Sequence, residues 1–215
     1  MIKAVIFDMD GVLLDTENYY TKYWVEAGRQ MGYPMTYEHG LWFRSFAGKF
    51  SSQISKLALG DTFDYWAVRK QRRALMDPMH EKLVIELMPG VAQVLDGLRA
   101  RGLMTAVATA SNEERTRELL NYVGILDKFD RILCTDMVKN GKPMPDVYRL
   151  ACQMLGVKPS ECMAVEDSPN GAMAAYGAGC QTVMAVNLTE PDEVLKLMLY
   201  AKVNRLSELL TLNLL

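Results

Sequence analysis

Apolar positions along the chain follow two textures, and the change between them divides it. Ala4-Val5-Ile6-Phe7 is an unbroken apolar run, the pattern of a short strand buried on both faces. From about Met88 onward, β-rich runs alternate with stretches of helical spacing. After Pro89-Gly90, the residues Val91, Val94, Leu95 and Leu98 recur at helical intervals and stop at Gly102, and 105–108 then reads as a strand. Ser111-Asn112-Glu113-Glu114 has the form of a capping box and opens a helix through Leu119, Leu120 and Val123 to Gly124. Strands are predicted over 131–135, 162–165 and 181–186, and helices over 145–156, 170–179 and 192–200. Such alternation predicts an α/β fold built on a Rossmann-like parallel sheet. The 170–179 helix carries Gly171, Ala172, Ala174, Ala175 and Gly177, so it is expected to pack very close to the sheet.

The segment 16–87 is different. Tyr20, Trp24, Ala27 and Met31 recur at helical spacing, and a second helical run extends through Phe63, Trp66, Ala67 and Arg69 to Met76. No strand pattern of comparable quality occurs there. The expected organisation is a core formed by 1–15 and 88–215, with 16–87 inserted as a small all-helical domain through linkers near 14–16 and 88–90. The aromatic and Met residues of the insertion are read as its own small core.

Chemistry concentrates at the end of the first run, in Asp8-Met9-Asp10-Gly11. On a strand the two acids would share a face, and Gly11 lets the backbone turn there, so both carboxylates can converge on one point. Carboxylates that close repel each other and need a cation or a shared proton. A pair placed where a buried parallel strand ends is a candidate phosphoryl-transfer site.

Four ordered motifs extend this reading. Asp8-Met9-Asp10-Gly11-Val12-Leu13-Leu14-Asp15-Thr16 resembles the D-x-D-G-x-x-x-D-(T/S) motif of the haloacid dehalogenase superfamily. Thr109 closes an apolar strand as its second motif requires, Lys142-Pro143-Met144-Pro145-Asp146 looks like the K-P-x-P-(D/E) third, and Glu166-Asp167 closes another strand as the fourth. The resemblance spans the whole chain and implies an α-helical cap at 16–87 and an Mg²⁺-dependent phosphatase acting through an aspartyl phosphate. It implies Asp8 as nucleophile and Asp10 as general acid and base, with Thr109 and Lys142 binding the phosphoryl group. The metal would be held by Asp8, Asp10 through its backbone carbonyl, Asp167 and, directly or through water, Glu166. Asp15 and Thr16 are expected to shape the linker and not to touch substrate. Ser111 and Asn112 are candidate substrate donors at a helix start, and Arg44 and Lys49 are candidate cap contacts. The alternative within the superfamily is a β-phosphoglucomutase; a catalytically silent ligand binder would be expected to lack one of Asp8, Asp10, Lys142 or Asp167.

Composition narrows the partners. At 215 residues, 50% hydrophobic and with net charge −2, the chain can bury a full core, and it has no basic footprint for nucleic acid. Its apolar stretches are too short to span a membrane, and the acids at 8 and 10 interrupt what a signal peptide would need, so a cytoplasmic monomer acting on a small phosphorylated metabolite is expected. Cys134, Cys152, Cys162 and Cys180 lack ligand spacing and are read as reduced, buried thiols. His39 and His80 are likewise isolated.

Overall fold

The structure, a computed structural model, describes residues 1–43, 48–80 and 85–213, with the side chains of 48–50 and 77–80 excepted. Six strands, β1 (Ala4–Phe7), β2 (Met104–Ala108), β3 (Arg131–Leu133), β4 (Cys162–Glu166), β5 (Gln181–Ala185) and β6 (Ala201–Val203), form one sheet. Every pairing is parallel and the order is β3-β2-β1-β4-β5-β6. The chain builds outward from β1 to β3, then returns to the other side of β1 for β4 to β6. Strand order therefore reverses beside β1, the place where open parallel sheets hold ligands beyond their carboxyl ends.

Period-two alternation sorts each strand between two cores. Val5, Phe7, Val107, Met163, Val165 and Val183 pack on one face. Ala4, Ile6, Ala106, Ala108 and Ala164 face the other.

Helices α1 (Glu17–Gln30), α2 (Tyr37–Trp42), α3 (Gly48–Leu59) and α4 (Tyr65–His80) all come from the segment between β1 and β2. They hold a separate apolar cluster of Trp24, Val25, Ala27, Met35, Phe43, Phe63, Tyr65 and Val68. Of the spacing read for α1, Trp24 and Ala27 are buried, whereas Met31 is the C-cap and is exposed. The two chain crossings lie side by side: Asp15 N–H donates to the Glu86 carbonyl and Met88 N–H to the Leu13 carbonyl.

Around the sheet run α5 (Val91–Ala100), α6 (Glu113–Tyr122), α7 (Asp146–Leu155), α8 (Pro169–Ala178) and the short α9 (Glu193–Lys196). Helices α7 and α8 lie on the alanine-rich face, where small side chains allow close approach. Two expectations need correction. The helix expected over 192–200 is confined to α9, because Tyr200 N–H already bonds to the Thr182 carbonyl and leads into β6. Strand β6 itself has a lysine at its centre and only three residues, too little to register as a pattern. The capping box at Ser111 also differs: Asn112 is the N-cap and accepts from Arg115 N–H, which releases the Ser111 hydroxyl for another partner. All four cysteines are buried free thiols. Among the described residues no helix is long and apolar enough to cross a membrane.

Candidate active site

Asp8, Thr109 and Asp167 each follow the last residue or two of a strand, β1, β2 and β4, and adjacent parallel strands bring their ends together. Asp8 is 4% exposed, Thr109 1% and Asp167 0%. Lys142 enters from the loop before α7 and is buried with them. Its Nζ donates to Asp8 Oδ1 at 2.6 Å, to the Ala108 carbonyl at 2.9 Å and to Glu166 Oε1 at 2.5 Å. Burial works against the ammonium charge, but Asp8 and Glu166 outweigh it and hold the Lys142 pKa above its ordinary value. The lysine is therefore a fixed cation.

Glu166 is wholly buried, and its Oε1 also accepts from the Tyr148 hydroxyl at 2.5 Å. Burial, more than the opposing pull of Lys142, raises its pKa to about 7. The Tyr148 phenol is pushed well up by burial and by Glu166, so it stays a proton donor. Gly171 on α8 makes room for this carboxylate: a Cβ there would fall inside the Glu166 carboxyl group. The tight packing expected from the small-residue helix is thus aimed at one side chain. Gly11 does the same for Asp167; with φ of 81° it occupies the left-handed region, and a Cβ would collide with the Asp167 carboxylate.

Asp8, Glu166 and Asp167 each place a carboxylate oxygen within 4.8 Å of the others. Three buried acids this close repel one another, and an all-oxygen donor set is what a hard divalent cation takes. The residues fit such an ion. Asp10 stands apart from this cluster. Its Oδ1 accepts from the Thr16 hydroxyl at 2.6 Å and its Oδ2 from the Ser111 hydroxyl at 3.3 Å. Burial and the neighbouring Asp8 charge raise the Asp10 pKa, against the lowering effects of Thr16, Arg115 and Ser111. The two acids of the first motif thus have different environments, Asp8 on a lysine and Asp10 on neutral hydroxyls.

A cavity of about 500 Å³ opens from Asp10, Ser111 and Asn112 toward α1 and α4, with Tyr20, Trp24, Arg72 and Arg115 among its walls. Arg115 bridges its two sides by donating from both Nε and Nη2 to the Tyr20 hydroxyl, at 3.2 and 2.6 Å. Of the cap candidates, Arg44 and the side chain of Lys49 lie outside the described residues. Sequence reasoning passed over Tyr148, Arg72 and Arg115, and it assigned Thr16 to the linker when its hydroxyl contacts Asp10. Thr16 had a signal, since it is the final position of the first motif; the other three had none beyond helical spacing.

A family model described as haloacid dehalogenase-like hydrolase matches residues 2–179. The chain belongs to this family. It is 31% identical over 181 residues to fructose-1-phosphate phosphatase YqaB of Escherichia coli strain K12, covering 84% of this chain and 94% of that protein. Identity to β-phosphoglucomutase of Bacillus subtilis strain 168 is 28% over 184 residues, covering 83% and 80%. Among solved structures, CbbY from Rhodobacter sphaeroides in complex with phosphate superposes with a TM-score of 0.77 at 26% identity, covering 97% of this chain and 96% of that one. As a member of this hydrolase family with phosphatase relatives, the protein is a phosphohydrolase.

Proposed function

We propose that the protein is a Mg²⁺-dependent phosphatase that hydrolyses a small phosphate monoester, a sugar phosphate or similar metabolite, through an aspartyl phosphate on Asp8. The observation that carries this reading is the division of labour between Asp8 and Asp10. Asp8 Oδ1 accepts from the Lys142 ammonium, which steadies and aims the carboxylate assigned as nucleophile. Asp10 is raised toward its protonated form, as a general acid must be. In the first half-reaction an Asp8 oxygen attacks phosphorus while Asp10 gives its proton to the departing alcohol oxygen. In the second, Asp10, now ionised, takes a proton from water as that water attacks phosphorus and frees the Asp8 carboxylate.

Lys142 and the hydroxyl of Thr109 would hold the phosphoryl oxygens as charge builds on them. Glu166 is assigned to orient Lys142, since its Oε1 is already shared by Lys142 and Tyr148. Asp8, Asp167 and the Asp10 backbone carbonyl would hold Mg²⁺, with Glu166 reaching it at most through water. When bound, the ion neutralises the acid cluster and polarises the phosphoryl group. In this reading 16–87 is the cap that closes the cavity over the substrate, a role supported by its separate apolar cluster and by its paired crossing segments.

The test is phosphate release from a panel of phosphate esters with Mg²⁺, for the wild type and Asp8→Asn. The wild type should turn over, and the variant should lose turnover almost completely while melting as a folded protein. A variant with near-native rate would rule out the covalent mechanism.

A further inference from the structure

The cavity wall opposite Asp10 carries charge that the reaction at phosphorus does not use. On α4 the positions 69, 72, 73 and 76 follow helical spacing, and Arg69, Arg72, Arg73 and Met76 all line the cavity. Arg72 is the telling residue. Its guanidinium lies 4.6 Å from the centroid of the Trp24 ring and 5.5 Å from that of Tyr20. Its Nε is buried without a hydrogen-bond acceptor. Aromatic faces attract a guanidinium but accept none of its five N–H donors in the way a carboxylate or phosphate does.

Its neighbours do not supply the missing anion. Besides burial, the groups acting most strongly on its charge are Tyr20, Tyr65, Arg69 and Arg115: two phenols and two further cations. Arg115 differs, because Asp10 and Glu118 act on it and Tyr20 accepts its hydrogen bonds. Arg69 lies over the Trp66 ring. Among the described residues none of Arg69, Arg72 and Arg73 has an acidic partner within salt-bridge distance. Sealing one N–H of an unpaired guanidinium from water costs stability. Doing so on the wall of an open cavity that ends at Asp10 makes sense if a ligand brings the counter-charge.

We infer that Arg72, assisted by Arg69, binds a second anionic group on the substrate, so the preferred substrates are phosphate monoesters whose far end carries a carboxylate or another phosphate. The inference rests on the phosphatase reading above and adds the substrate class. Arg72 acts here as a specificity residue; it is remote from the reacting bond. The rings of Trp24 and Tyr20 fix the plane of the guanidinium before the substrate arrives, so little side-chain entropy remains to be lost on binding. The second anion would also draw α4, an element of the segment 16–87, toward a substrate whose phosphoryl end is held by the sheet.

The experiment compares kcat/KM on matched esters: 6-phosphogluconate against sorbitol 6-phosphate for a carboxylate, and fructose 1,6-bisphosphate against fructose 1-phosphate for a phosphate. p-Nitrophenyl phosphate serves as a reference for the chemistry alone. The wild type should favour at least one doubly anionic member by about tenfold or more, as expected for a charged hydrogen-bonding partner, and the winning pair identifies which anion is bound. Arg72→Met should bring that ratio close to one, chiefly through KM, and Arg72→Lys should retain part of it. If Arg72→Met fails to fold, Arg69→Gln should lower the same ratio. Hydrolysis of the reference and the singly charged esters with no preference for a second anion would overturn this inference and leave the phosphatase reading standing. An unchanged ratio in Arg72→Met would overturn it as well. Failure to hydrolyse any ester would remove the phosphatase reading and this inference together.

Discussion

Two aspartates separated by a single residue stand among different side chains. Asp8 meets Lys142, whereas among the described residues the Asp10 carboxylate meets the hydroxyls of Thr16 and Ser111 at hydrogen-bonding distance. Burial and the charge of Asp8 raise the Asp10 pKa, and the Thr16 hydrogen bond, by favouring the charged form, lowers it. Thr16→Val removes that donor while keeping the shape, so the Asp10 pKa should rise further. The proton-donating form then persists to higher pH, and the alkaline limb of kcat/KM on an alkyl phosphate should move upward. A pH profile of the two proteins checks this; a limb that moves down or stays fixed would mean that another group controls it. With p-nitrophenyl phosphate, whose leaving group needs little protonation, the displacement should be smaller.

At the scale of elements, α8 decides how firmly Glu166 can hold Lys142. Gly171 is the point of contact: a methyl group there would overlap the Glu166 carboxyl, whereas a methyl group at Gly177 meets only Pro145 Cβ, at 3.7 Å. Gly171→Ala should therefore destabilise by about 1–3 kcal/mol through overpacking, and it should depress turnover as Glu166 and Lys142 shift. Gly177→Ala in the same helix should be neutral or stabilising by up to about 1 kcal/mol, because alanine loses less backbone freedom on folding. Urea unfolding of the two variants tests the contrast, and equal effects would contradict it. The small-residue run made the close packing of α8 legible in the sequence, but not that Glu166 was its target. The strand ends were legible for a related reason: a continuous apolar run followed by an acid or a threonine leaves little choice of where a buried parallel strand stops. Tyr148 was not, since a tyrosine facing a sheet looks like any other core residue until its hydroxyl is seen on Glu166. Neither was β6, whose pairing to β5 depends on tertiary neighbours more than on its own three residues.

The molecule as a whole joins a concentrated acid cluster to a cavity walled by the helical insertion. Asp8, Glu166 and Asp167 converge, and Lys142 bonds to the first two, so a divalent ion held among the three should add stability as well as activity. Adding Mg²⁺ to chelated protein should raise its melting temperature and restore phosphate release. Ca²⁺, which is larger and takes more ligands, should raise the melting temperature without supporting turnover. Full activity after exhaustive chelation would exclude a metal role. The insertion bears on the remaining choice between a phosphatase and a mutase. A mutase must protect its aspartyl phosphate from water until a sugar phosphate is seated, which requires cap groups that couple closure to the right acceptor. The opening turns of α1 carry Tyr19 and Tyr20 and no histidine, and the Tyr20 hydroxyl is engaged by Arg115 of α6. A phenol with a pKa raised by burial cannot take up and return a proton near neutral pH as an imidazole can. Tyr20 therefore offers a fixed contact between insertion and core in place of a titrating one. Incubation with β-glucose 1-phosphate and a catalytic amount of the glucose bisphosphate should yield inorganic phosphate or no reaction. Efficient formation of glucose 6-phosphate would reassign the protein to the mutases, and Tyr20→His is the variant in which a gain of that activity, measured as glucose 6-phosphate formed per phosphate released, should be sought first.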